Sequence, residues 1–217
     1  MRASHPHPTA SQLRGLYAVT GESICASQAD LLAAVEEALE GGARLIQYRD
    51  KWNSRSIRMR NAHSLLGLCH EHRALLIIND DVELADDIGA DGVHIGAADA
   101  SLEQARKHLG LEAIIGVTCS NSLERALSAE AGGASYVAFG RFFASNTKPT
   151  APAAPLELLT QAKARLQLPV CAIGGITPQN TAELIALGAD MVAAVEGVFG
   201  AADVEVAAHA YAALFTR

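Results

Sequence analysis

Eight short runs of β-branched and other apolar residues recur along the 217-residue chain, and polar-punctuated stretches separate them. The runs are LYAVTG from Leu16, LIQYR from Leu45, ALLIIN from Ala74, GVHIG from Gly92, AIIGVT from Ala113, YVAFG from Tyr136, VCAIGGI from Val170 and MVAAVEG from Met191. Short apolar runs bounded by turn residues predict buried strands. Between and after them, apolar residues fall near every 3.6 positions over 31–39, 56–70, 83–88, 102–109, 123–131, 156–166, 181–187 and 204–214. That spacing predicts helices with one buried face.

Several joints repeat one phrase: IGADGVHIG, AGGASYVAFG and LGADMVAAVEG. A glycine suited to ending a helix precedes a small or acidic turn and then a strand. Strands that read as continuous apolar runs and alternate with helices imply a parallel sheet covered on both faces. Eight such units in this length predict a single-domain α/β fold, a closed (β/α)8 TIM barrel over residues 13–217. An open doubly wound sheet is the alternative, and it usually needs fewer strands. Residues 1–12, polar and proline-bearing, read as a flexible N-terminal arm.

Charge and cysteine usage narrow the partners. The formal net charge is −7, from 17 basic and 24 acidic residues. No overall positive field draws the chain to nucleic acid or to an anionic membrane, so an anionic ligand must be held locally. No apolar run reaches membrane-spanning length, and Cys25, Cys69, Cys119 and Cys171 lie far apart with no C-x-x-C pair. This pattern suits reduced thiols and a cytoplasmic protein. Cys119 is the one cysteine placed to line a pocket, although a small apolar filler is the ordinary reading.

In a TIM barrel, function sits at the C-terminal strand ends and the loops after them. Alternation puts Gln47, Arg49 and Lys51 of LIQYRDK on one face, where two cations and an amide make an anion cradle. An outward-facing stripe would instead turn Tyr48 and Asp50 inward. Asn79 and Asp80 end the third run, and Asp99 follows the fourth. Helix capping is the default for either aspartate alone. As a pair on neighbouring strands beside a cationic stripe, they suit Mg²⁺ carried by a substrate phosphate. Asp81, Glu83, Asp86 and Asp87 read as a solvated helix face, and His94 as either a hydrogen-bonded core histidine or a catalytic one.

The seventh unit, AIGGITPQN, carries Gly174 and Gly175 at a strand end and Thr177–Pro178 at a helix start. Glycines let the backbone approach a ligand, and a helix start offers N–H donors to phosphate. Tight packing alone accounts for one of these glycines more readily than for two. After the sixth run, RFFASNTKPTAP places Ser145, Thr147 and Lys148 in a proline-braced loop. Lys148 is either a surface lysine or a cation presented to an anion.

Taken in order, QYRDK, LLIINDD, DGVHIGAAD, IIGVT, FFASNTKP and AIGGITPQN resemble the thiamine-phosphate synthase family from LYAVT to VEGVFG. No single motif is decisive; the ordered set is specific. The resemblance implies a transferase whose partners are a phosphorylated pyrimidine and a phosphorylated thiazole, with Mg²⁺ as cofactor. It would join 4-amino-2-methyl-5-(diphosphooxymethyl)pyrimidine to 4-methyl-5-(2-phosphooxyethyl)thiazole, releasing diphosphate. By resemblance, Gln47, Arg49, Lys51, Asn79 and Lys148 hold the pyrimidine diphosphate, with Arg49, Lys51 and Lys148 catalytic. Asp80 and Asp99 ligate the metal. Thr118 stands where a serine is usual, near the pyrimidine and diphosphate. Ser145 and Thr147 meet the thiazole phosphate, Gly174 and Gly175 seat it, and Val195 and Glu196 complete the substrate-binding set. Nothing here requires a protein nucleophile, and a homo-oligomer is left open.

Three positions depart from the family's pattern. Ser145 replaces threonine, Ala97 stands where glutamine is common, and Glu196 stands where a serine would lie beside the thiazole phosphate. A carboxylate there must point away, pair with a cation, or alter substrate handling. Two rivals follow: a thiazole tautomerase, which needs no diphosphate site, and a non-catalytic sensor of thiamine intermediates.

Overall fold

Each apolar run forms a strand whose two faces are both covered. The computed structural model describes residues 12–96, 99–145 and 152–215. The expected N-terminal arm therefore lies, apart from Gln12, outside the described residues. The strands are β1 Gly15–Val19, β2 Leu45–Tyr48, β3 Leu75–Asn79, β4 Gly92–Ile95, β5 Ile114–Ser120, β6 Tyr136–Phe139, β7 Val170–Ile173 and β8 Met191–Ala194. All pair in parallel and in chain order, and β8 pairs back onto β1 with Tyr17 opposite Ala193. That closing pair excludes the open sheet.

The helices are α1 Glu22–Cys25, α2 Gln28–Glu40, α3 Arg55–Glu71, α4 Val82–Ile88, α5 Leu102–Leu109, α6 Leu123–Ala131, α7 Glu157–Arg165, α8 Pro178–Ala186, α9 Glu196–Phe199 and α10 Val204–Ala212. The sequence pattern does not anticipate α1 or α9, because four residues are too few to display a 3.6-residue period. It also starts α8 three residues late; Pro178 occupies the first turn, where a missing N–H costs nothing.

Alternation along each strand divides the core in two. Ile46, Tyr48, Leu76, Ile78 and Val93 face the helix layer, whereas Tyr17, Leu45, Ile77, Tyr136 and Met191 fill the barrel interior. Gly116 on β5 is needed for this filling, since any side chain there would occupy the space of the Tyr136 ring.

The repeated joint phrase has a physical cause. Gly89, Gly133 and Gly188 take positive φ values of 67°, 84° and 112°, which lets each helix end in a left-handed turn. Two residues later, Asp91, Ser135 and Asp190 turn their side chains onto the preceding strand. They accept the backbone N–H of Leu76, Ile115 and Val170 at 2.7, 3.0 and 2.9 Å. Each bond satisfies a buried N–H at the strand start and ties one βα unit to its neighbour.

Candidate active site

The C-terminal rim is built first by how β2 ends. Asp50 accepts the N–H groups of Trp52 and Asn53 at 3.1 and 3.0 Å, and it also accepts from the Tyr48 hydroxyl and the Asn53 amide. Burial raises its pKa, but these donors more than offset that and hold the carboxyl below its usual range. The strand therefore stops at Tyr48, and strict alternation does not extend to Lys51. Gln47 remains a buried interior residue, while Tyr48 lies in the outer layer. Arg49 is clamped by Thr20, whose hydroxyl accepts its N–H at 2.8 Å and donates to its carbonyl at 3.0 Å. The Arg49 guanidinium lies over the Trp52 ring, 5.5 Å from its centroid.

At the end of β3 the backbone turns at Asp80, which has φ 63° and donates its N–H to the His94 carbonyl at 2.8 Å. This turn aims the Asp80 carboxylate at Lys51, 3.0 Å away. Lys51, Asn79 and Asp80 line one cavity of about 320 Å³ together with Asp50, Asn53, Arg58 and Asp81. Asp99 is drawn in from β4: its carboxylate accepts the Gly96 N–H at 2.7 Å, and a side chain at Gly96 would crowd it.

Asp80 and Asp99 lie close enough for each to shift the other's titration. Burial and the neighbouring Asp80 charge raise the Asp99 carboxyl, whereas hydrogen bonds from Asp99 and Lys51 overcome burial and lower Asp80. Two neighbouring carboxyl groups form a concentrated negative site made of oxygen donors. Among the described residues, no group of three or more His, Cys, Asp or Glu side chains is placed to hold a metal. A hard cation held by two carboxylates fits this donor set only if a ligand's phosphates and water complete it.

Inside the barrel lie polar groups set among the apolar strand residues. Gln47 Nε2 donates to the Tyr17 hydroxyl at 2.8 Å, and that hydroxyl meets Tyr136 at 2.8 Å. His94 joins Tyr136 through Nδ1 at 2.9 Å and Thr118 through Nε2 at 2.8 Å. Tyr17 and Tyr136 are the residues most clearly missed by the sequence reading. The available signal was phase: Tyr17 lies two residues from Val19, on the same interior-facing side of β1.

On the far side of the rim, Phe142 and Phe143 donate to the carbonyls of Ile173 and Gly174 at 3.2 and 3.0 Å. The segment after β6 thus lies on the end of β7. Gly174 and Gly175 have φ 101° and 63°, and a side chain on either would strike Arg141, Phe143 or Ala144. Packing accounts for both glycines, contrary to the expectation that it accounts for only one. Arg141 pairs with Pro152 and Ala154, so the loop is pinched at its base and Ser145 is held at its described edge. Thr147 and Lys148 lie outside the described residues, as does Ala97.

Val195 and Glu196 begin α9 at the end of β8. The Glu196 side chain is exposed; its oxygens lie 4.0 Å and 2.7 Å from where side chains on Gly21 and Gly200 would begin. Gly21 follows β1, so the carboxylate lies near the end of β1. Cys119 packs in the outer layer, and burial pushes its thiol up to about 12. It lines no part of the rim. Of the acidic face on α4, Asp81 caps the helix and pairs with Arg58, while Glu83 and Asp87 pair with Arg55 and Asp86 with His108.

Residues 16–198 match the family described as thiamine monophosphate synthase. The thiamine-phosphate synthase of Thioalkalivibrio sulfidiphilus is 54% identical over 207 residues, covering 95% of this chain and 98% of that protein. That of Nitrosococcus oceani is 52% identical over 201 residues, with 93% and 92% covered. Among solved structures, thiamine phosphate pyrophosphorylase from Pyrococcus furiosus superposes with a TM-score of 0.85 at 33% identity, covering 96% of this chain and 98% of that one. The chain belongs to the thiamine monophosphate synthase family.

Proposed function

We propose that this chain is a cytoplasmic thiamine-phosphate synthase acting on a pyrimidine methyl diphosphate and a thiazole ethyl phosphate. The observation that carries this reading is the convergence of Lys51, Asn79, Asp80 and Asp99 at one rim, directly above an interior lined by Gln47, His94 and Thr118. The four dispersed, buried thiols support a reducing compartment.

Asp80 and Asp99 are the residues that would hold Mg²⁺, which when bound supplies positive charge beside the departing diphosphate. Arg49 and Lys51, with Lys148 from the loop after β6, hold the diphosphate oxygens as their negative charge grows. The C–O bond of the pyrimidine methyl group breaks, and diphosphate leaves with the electron pair. The aminopyrimidine ring spreads the resulting positive charge, and the thiazole nitrogen donates its lone pair to form the C–N bond. Ser145 and Thr147 hold the thiazole phosphate, with the backbone around Gly174 and Gly175 as its seat. Val195 packs beneath, and Glu196 is turned from the phosphate. Attack comes from substrate, so the chain needs only to position and to neutralise charge.

Three incubations test this reading. With both substrates and Mg²⁺, thiamine phosphate should form. Rearrangement of the thiazole phosphate alone would mark a tautomerase, and tight binding of both compounds without turnover would mark a sensor. Either of those results overturns the proposal.

A further inference from the structure

Five side chains from five strands form one continuous hydrogen-bonded row across the barrel interior: Gln47, Tyr17, Tyr136, His94 and Thr118. The direction of donation along the row is fixed by its ends. Burial pushes both tyrosine phenols well above their usual range, so each keeps one proton to donate.

The amide nitrogen of Gln47 carries only hydrogens, so the Tyr17 oxygen accepts from it. If Tyr136 also donated to Tyr17, the Tyr17 proton would be stranded without an acceptor inside a fully buried site. Tyr17 therefore donates to Tyr136. The Tyr136 proton then goes to His94 Nδ1, which must present a lone pair. A neutral ring with a lone pair at Nδ1 carries its hydrogen on Nε2, and that hydrogen goes to Thr118 Oγ1, 2.8 Å away. The Thr118 hydrogen is not consumed within the row.

We propose that this row holds His94 as the neutral Nε2–H tautomer, making His94 a positioning residue that leaves the Thr118 hydroxyl as a hydrogen-bond donor to the ligand. This rests on the reading that Thr118 meets the pyrimidine substrate. A donor at that point selects an acceptor, either a pyrimidine ring nitrogen or a diphosphate oxygen, and disfavours a ligand presenting an N–H there. Gln47, three strands away on β2, sets that preference through three intervening side chains.

The test reads the tautomer directly, by ¹⁵N NMR of the histidine-labelled intact protein at neutral pH. The His94 signal is assigned by its loss in His94→Gln. In the wild type, Nδ1 should resonate as a lone-pair nitrogen and Nε2 as a protonated one. In Gln47→Glu, read at a pH where the new carboxyl is ionised, that group can only accept, so each bond should reverse and His94 should switch to the Nδ1–H form. Thr118→Val should raise the Michaelis constant for the pyrimidine substrate about tenfold, and Thr118→Ser, which restores the hydroxyl, should recover most of that loss.

A wild-type Nδ1–H ring, a mixture, or a doubly protonated ring overturns the proposal. So does an unchanged tautomer in Gln47→Glu. If that variant does not fold, Tyr136→Phe, which removes the donor to His94 Nδ1, should yield mixed tautomers, and a single retained Nε2–H form would overturn the proposal equally. A correct wild-type tautomer in a protein that makes no thiamine phosphate would instead strike at the functional reading.

Discussion

Asp99 carries the clearest consequence at the scale of single residues. Its carboxyl is raised by burial and by Asp80, so its protonated form stabilises the fold at acid pH. That contribution is lost as pH rises through the folded-state value, and two ionised carboxylates then repel. Asp99→Asn keeps an acceptor for the Gly96 N–H but removes one charge. Because Asp99 is exposed, the gain is discounted to under about 1 kcal/mol, or roughly 1–3 °C in Tm at pH 7.5 without metal. The gain should shrink under acid conditions. Added Mg²⁺ should raise the wild-type Tm more than that of the variant. Equal Mg²⁺ shifts in the two proteins would contradict the assignment of the carboxylate pair to metal.

Glu196 belongs to the same scale. Its carboxylate sits beside Gly21 and Gly200, near the end of β1, which in the proposed site avoids a close clash with the thiazole phosphate. What remains is a longer-range repulsion, about 0.5 kcal/mol for unit charges ~8 Å apart in a water-like dielectric. Glu196→Ser should lower the Michaelis constant for the thiazole phosphate about twofold and leave that for the pyrimidine diphosphate unchanged. A rise in the thiazole constant would give the carboxylate a positive role. Sequence reading could flag the substitution, since it concerns charge and position. It could not orient the side chain, because the turn into α9 shows no period.

At the scale of elements, the segment after β6 and the glycines of β7 act as one unit. Gly175 has φ 63° and faces Phe143 and Ala144, whereas Gly133 has φ 84° and open space around it. Alanine at Gly133 should cost only the left-handed backbone strain, about 1 kcal/mol. Alanine at Gly175 adds overpacking and should cost about 2–4 kcal/mol in total. Urea unfolding of both variants measures the difference, and equal losses would mean that the loop is not docked as described. The eight strands and the long helices were legible because each buries one face and the chain records that period. The joint phrase was legible as a repeat, but its cause was not: Asp91, Ser135 and Asp190 bond to strands that are neighbours only once the barrel closes. For the same reason, Tyr17 and Tyr136, 119 positions apart, read as core strand residues until the structure put their hydroxyls in contact.

For the whole molecule, closure of β8 onto β1 brings loops from distant parts of the chain to one rim. Carboxylates and Lys51 gather over β2–β4, while the β6 loop and the β7 glycines meet opposite them. This division matches a reaction with two phosphorylated partners and one departing diphosphate. Thiamine phosphate formation by the purified chain, followed together with diphosphate release over a Mg²⁺ titration, is the most direct measurement of that chemistry. The two products should appear in equal amounts, only when both substrates are present, and at a rate that rises with Mg²⁺ and falls sharply in Asp80→Asn. Diphosphate release without thiamine phosphate, or a rate indifferent to both Mg²⁺ and Asp80, would contradict it.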